Sequence, residues 1–66
     1  MDTKPIKQYM QDKGLRPIRL AEKAHISPSL LSRFLNGHTK LDIPTIQKLA
    51  AVMGIKTGTL INRMGL

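Results

Sequence analysis

Prolines and glycines divide this chain into short segments, and their order restricts the fold. Four prolines stand where a helix can begin, because the first helical position needs no N–H donor: Pro5, Pro17, Pro28 and Pro44. Four glycines stand where a left-handed residue can end a helix: Gly14, Gly37, Gly54 and Gly65. The pattern predicts helices over 4–13, 17–24, 28–36, 44–53 and 58–64, with N-caps at Thr3, Ser27, Asp42 and Thr57.

Each segment carries apolar residues at helical spacing, and no stretch alternates apolar and polar residues between turns as a strand does. The chain is therefore predicted to be one all-α domain over residues 1–66. Its last segment has more apolar side chains than a core of this size needs, and a surplus apolar patch often marks a contact surface. We expect a homodimer interface there, formed by Leu60, Ile61, Met64 and Leu66.

The charge balance favours a polyanionic partner. Eleven Lys and Arg against four Asp and Glu give a net charge of +7, which favours nucleic acid, although solubility or an anionic membrane surface are alternatives. The chain has no cysteine, no apolar run near the roughly 20 residues of a membrane span, and no signal-peptide pattern at its start. Its initial methionine suggests a complete small protein, with an excised domain as the alternative, and the chain is predicted to be cytoplasmic and bacterial or phage-encoded.

The predicted helix 28–36 has two distinct faces. Leu31, Phe34 and Leu35 share one side, with Leu30 beside them. The opposite side carries small hydrogen-bonding side chains and one cation: Ser29, Ser32, Arg33 and Asn36. Such side chains can approach another surface closely and bond to it.

The segments 17–24 and 28–36 are separated by only about three residues, and small side chains at Ala21 and Ala24 allow their helices to pack closely. This arrangement predicts a helix-turn-helix over 17–36. The stretch "LAEKAHISPSLLSRFLNG" is similar to the lambda-repressor/Cro-like (xenobiotic-response-element type) helix-turn-helix family. The Leu-Ala opening, the Asn-Gly ending and the following "IPTIQKLAAVMGI" carry the resemblance.

The resemblance implies a compact five-helix domain, regulation at palindromic double-stranded DNA operators, and a homodimer, formed either in free protein or only on DNA. By their position in the family motif, the residues expected to contact the bases are Pro28, Ser29, Ser32 and Arg33. Residues expected at the DNA backbone are Arg16, Arg19, Asn36, His38, Thr39 and Lys40. Arg33 is the main candidate for specificity, since its guanidinium can bond bidentately to guanine.

Three positions depart from the family pattern, and one of them, Leu35, stands where many relatives have glutamate and is expected to add packing. His25 stands where the turn usually has glycine, so we expect a strained left-handed histidine there. Pro17 stands where many relatives have glutamine, and proline has no donor for a phosphate. The phosphate bond at this position is predicted to be missing or to be made by a neighbour such as Arg16.

Other functions are less well supported by the residues. His25, His38 and Asp42 make a poor metal site, and no cofactor is expected. Nothing places a nucleophile beside a base, so an enzyme is not predicted, and two aromatic residues offer no stacking platform for RNA. The sequence favours a small phage- or plasmid-type repressor, or a restriction-system controller. The alternative is an antitoxin or similar module that couples DNA binding to holding a partner protein.

Overall fold

The computed structural model describes residues 1–65, which form five helices in chain order. They are α1 Lys4–Lys13, α2 Pro17–Ala24, α3 Pro28–Leu35, α4 Ile43–Met53 and α5 Thr57–Arg63. No strand occurs within these residues. The predicted all-α, five-helix architecture is confirmed, and each predicted boundary lies within one residue of the observed one.

Two of the four predicted N-caps are made by side chains. Ser27 Oγ accepts from the Leu30 N–H at 3.4 Å, and Asp42 Oδ1 accepts from the Thr45 N–H at 3.0 Å. The prediction of Thr57 is wrong, because α5 begins at that residue and the extended Lys56 precedes it.

At α1, Thr3 occupies the cap position but makes no side-chain bond. Its backbone is helical (φ −87°, ψ −11°), whereas a capping residue is extended. Asp2 Oδ1 accepts the Lys4 N–H instead, at 2.9 Å.

The core draws on every helix, and its largest fully buried side chains are Ile6, Leu20, Leu31, Phe34, Ile46, Leu49, Leu60 and Met64. Leu60 and Met64 are 0% and 1% exposed within the single chain, so they have no surface to offer a partner. Their prediction as dimer contacts is corrected: they belong to the core, because α5 packs its apolar side on α4. Ile61 remains partly exposed, and Leu66 lies outside the described residues.

The turn between α2 and α3 depends on His25. This residue has φ 56° and ψ 43°, the left-handed conformation predicted for it, and its N–H caps the end of α2. The chain then needs only Ile26 and the cap Ser27 before α3 begins. The tight turn holds α2 against α3, and α2 also packs on α4.

Replacing His25 with glycine is expected to stabilise the domain by about 0.5–1 kcal/mol. Glycine relieves the left-handed strain but costs more backbone entropy, so the gain is smaller than the strain itself. Urea unfolding checks this, with Lys48→Gly as control. Lys48 is exposed in the middle of α4, where glycine is expected to destabilise by about 1 kcal/mol. A destabilised His25→Gly chain would mean that the imidazole makes a stabilising contact.

Candidate nucleic-acid interface

Helix α3 is attached to the core by one side and presents the other to solvent. Leu31 and Phe34 are 0% and 1% exposed, and Leu30 and Leu35 are half-buried. The predicted readout residues are all exposed: Pro28, Ser29, Ser32 and Arg33. No acidic residue occurs in α3, Pro28–Leu35. The helix therefore offers a short polar face with one cation, supported on a rigid apolar base.

The loop from residue 36 to residue 42, which we call the α3–α4 loop, continues directly from this face. Gly37 has φ 78° and its N–H bonds to Phe34 O at 3.0 Å. The His38 N–H bonds to Arg33 O at 2.9 Å, which folds the loop back onto the end of α3. Asn36, His38 and Lys40 are exposed and Thr39 is half-buried. These four predicted backbone-contact residues are thus brought together beside α3.

The start of α2 has a feature that the sequence reasoning missed. Arg16 occupies the N-cap position, but its side chain accepts no hydrogen bond from the first turn. The N–H groups of Ile18 and Arg19 are therefore left without a capping side chain. These N–H groups lie at the positive end of the helix dipole, which attracts anions. Arginine is not a capping residue, and this could have indicated an open helix end.

Charges around the site are mainly positive. Arg19 pairs with Glu22 at 3.6 Å, but both side chains are well exposed. Such a pair contributes little to stability, and Arg19 can easily exchange Glu22 for another anion.

Asp42 is the last residue of the α3–α4 loop. Hydrogen bonds from Thr45 hold the pKa of the Asp42 carboxyl below its ordinary value, with the larger effect from the Thr45 side chain and the smaller from its backbone N–H. Asp42 is therefore ionised at neutral pH and committed to capping α4.

The low pKa of Asp42 predicts an acid-sensitive cap. A carboxyl whose pKa is lower in the folded state contributes stability above its unfolded pKa, and loses it as the pH falls through the folded value. We expect the urea midpoint of the parent chain to fall more between pH 7 and pH 3 than that of Asp42→Asn, which keeps a capping oxygen but cannot ionise. An equal fall in both chains would show that the ionised cap does not contribute.

Residues 1–65 contain neither of two other kinds of site. No three His, Asp or Glu side chains there come together as a metal-binding group. No helix of this part of the chain is long and apolar enough to cross a membrane.

Two short helices joined by a tight turn, the second with an exposed polar face, define a helix-turn-helix protein. The chain belongs to the helix-turn-helix family, whose model matches residues 6–60. This confirms the resemblance to lambda-repressor/Cro-like proteins.

Two known proteins are similar to this chain. It is 40% identical over 58 residues to the HTH-type transcriptional regulator SinR of Bacillus licheniformis, a match that covers 86% of this chain. It also superposes on a SinR chain from a SinR protein/SinI protein complex with a TM-score of 0.83 and 33% identity, covering 98% of this chain and 64% of that one. The chain spans about half the length of the curated relative, 52%.

Proposed function

We propose that this protein is a sequence-specific double-stranded DNA-binding transcriptional regulator, most simply a repressor, which binds a palindromic operator as a homodimer through α3. The observation that carries the proposal is the exposed face of α3, which is polar, uncrowded and anchored by two buried side chains. Membership of the helix-turn-helix family and the likeness to a transcriptional regulator support it. The proposed role is binding without catalysis, in the bacterial cytoplasm.

In this account α3 lies in the major groove, with the residues of its first two turns at the base edges. Arg33 reads a guanine through O6 and N7, a bidentate contact that discriminates well between bases. Ser29 and Ser32 bond to bases or phosphate with less discrimination, and Pro28 makes apolar contact only.

Phosphate contacts come from two sides of α3. At the start of α2, the open Ile18 and Arg19 N–H groups and the side chains of Arg16 and Arg19 attract a phosphate, which compensates for the donor missing at Pro17. Beyond α3, the contacts come from Asn36, His38, Thr39 and Lys40. Such contacts fix the position of the protein on the duplex and carry no sequence information directly.

The homodimer is proposed to form along the outer side of α5. Ile61 is its candidate contact, because it is the partly exposed member of the apolar set predicted for this surface. Two-fold symmetry then places the two copies of α3 about 34 Å apart, one turn of the double helix.

Selection from a randomised duplex library tests the proposal without knowledge of the operator. We expect enrichment of a symmetric site whose half-sites are centred about 10–10.5 base pairs apart. The Arg33→Ala chain, selected in parallel, should lose its preference at one position in each half-site. If no common sequence is enriched, the positive charge alone accounts for DNA binding.

A partner-protein module is the second candidate, because the similar SinR chain was solved together with SinI. In this role the domain would be an antitoxin or similar module, in which DNA binding is coupled to holding a second protein. The same selection, repeated with the product of a neighbouring gene, separates the two candidates. A change in enrichment when that product is added, in either direction, supports the module, and enrichment that the product does not affect supports the regulator.

A further inference from the structure

The segment before α1 joins two parts of the molecule that are far apart in sequence. The Asp2 N–H donates to Met64 O, at the end of α5, over 2.9 Å. Met1 lines a cavity of about 230 Å³ whose other walls belong to the end of α3 and the loop after it: Phe34, Gly37, His38, Thr39 and Lys40. Residues 1–3, which we call the N-terminal strap, are therefore hydrogen-bonded to the end of α5 and share a surface pocket with the α3–α4 loop, an arrangement that we call the bridge.

Thr39 and Lys40, in the middle of the α3–α4 loop, are held by few hydrogen bonds. Within residues 1–65, the N–H groups of Thr39, Lys40 and Leu41 donate no backbone–backbone hydrogen bond. Among the same residues, the Thr39 hydroxyl bonds only to its neighbour, Lys40 O, at 3.4 Å. The buried Leu41 side chain anchors the end of the loop. The position of Thr39 and Lys40 therefore depends on packing, and Met1 is part of the surface beside them.

We propose that the N-terminal strap positions the α3–α4 loop so that Thr39 and Lys40 meet the DNA backbone. Asp2 is the positioning residue, because its N–H fixes the strap to the end of α5 and thereby holds Met1 at the loop. The strap links the helix proposed for dimerisation to the phosphate-binding loop. This inference rests on the proposed function for its DNA readout, while the bridge itself is testable in the free protein.

Asp2 has two roles that can be separated by mutation. Its carboxylate accepts the Lys4 N–H and caps α1, whereas its own N–H makes the bridge to Met64. Asp2→Pro removes both groups, because proline has no N–H. Asp2→Ala removes the carboxylate but keeps the N–H, and is the matched control with the same change of charge; both chains are compared with Met1 retained, as verified by mass spectrometry. A chain that lacks residues 1–3 is a second test variant.

The first measurement is the set of amide chemical shifts in free protein, together with urea midpoints to verify folding. In Asp2→Pro we expect the amide chemical shifts of Thr39, Lys40 and Leu41 to change from those of the parent chain. Those of Ser32 and Arg33 should not change. If the substitution only destabilised the fold, the amide chemical shifts of residues throughout the core would change instead. Asp2→Ala should leave the loop shifts as in the parent chain. Unchanged loop shifts in both Asp2→Pro and the shortened chain would overturn the bridge.

The second measurement is affinity for a selected operator and for scrambled duplex. Asp2→Pro should weaken both on the order of tenfold, the scale of one charge-assisted hydrogen bond, and leave their ratio unchanged. The slope of log affinity against log salt concentration, which we call the salt slope, should fall in magnitude by about 0.9 for each phosphate that the variant no longer neutralises. Loop shifts without any loss of affinity would overturn the positioning role. If the parent chain shows no preference for any duplex, the proposed function fails, and the free-protein shifts still decide the bridge.

Discussion

Replacing Arg33 with alanine is expected to weaken operator binding by about 1–3 kcal/mol, roughly fivefold to 150-fold, and to relax specificity at one base pair of each half-site. Arg33 is exposed near the middle of the polar face of α3, and its neighbours there are serines that discriminate poorly between bases. Truncation removes a bidentate contact but no core packing. Stability should therefore stay near that of the parent chain.

Lys40→Ala is the matched control for this prediction. Lys40 is also an exposed cation, but it lies in the α3–α4 loop, where a phosphate contact is proposed. Its loss should weaken operator and scrambled duplex alike and reduce the salt slope by about 1. Fluorescence anisotropy on both duplexes distinguishes the two patterns. If Arg33→Ala leaves the ratio of affinities unchanged, Arg33 is not a reading residue.

Replacing Leu60 with aspartate is expected to unfold the chain rather than merely separate a dimer. Leu60 is 0% exposed. Truncation of a buried leucine alone costs about 2–5 kcal/mol, and a carboxylate in its place adds an unpaired polar group. A domain of this length has a total stability of about 3–10 kcal/mol. Circular dichroism should therefore show loss of most helix at neutral pH.

Ile61→Asp is the control for Leu60→Asp, because Ile61 is adjacent but partly exposed. We expect this chain to remain folded, to sediment as a monomer and to lose cooperative binding to a palindromic operator. A folded, helical Leu60→Asp chain would contradict the burial of Leu60. An Ile61→Asp chain that still sediments as a dimer would remove α5 from the proposed interface.

Much of the fold was predictable because local signals and burial agree. Prolines and glycines at segment ends, with apolar residues at helical spacing between them, predicted five helices to within one residue. The left-handed His25 followed from the position of the turn in the helix-turn-helix pattern. Thr57 was misassigned as a cap because helix starts cannot be located more closely than a residue or two from capping preference alone.

The errors at the C-terminus have a different cause. The sequence places three apolar residues near the C-terminus, Leu60, Ile61 and Met64. It does not show which of them α4 covers, because burial depends on how two helices meet. The N-terminal strap was equally beyond sequence reasoning, because its bond joins residues 2 and 64 through backbone atoms. The roles of Arg33, Lys40 and the other DNA-contact candidates remain predictions.

Sequence-specific binding is tested most directly by the affinity of the parent chain for a selected palindromic duplex and for its scrambled counterpart, measured by anisotropy across a salt series. We predict a preference of about 10³ or more for the palindrome near physiological salt, as for typical regulators. Equal, steeply salt-dependent affinity for both duplexes would contradict the account, because the net charge of +7 would then explain all of the binding.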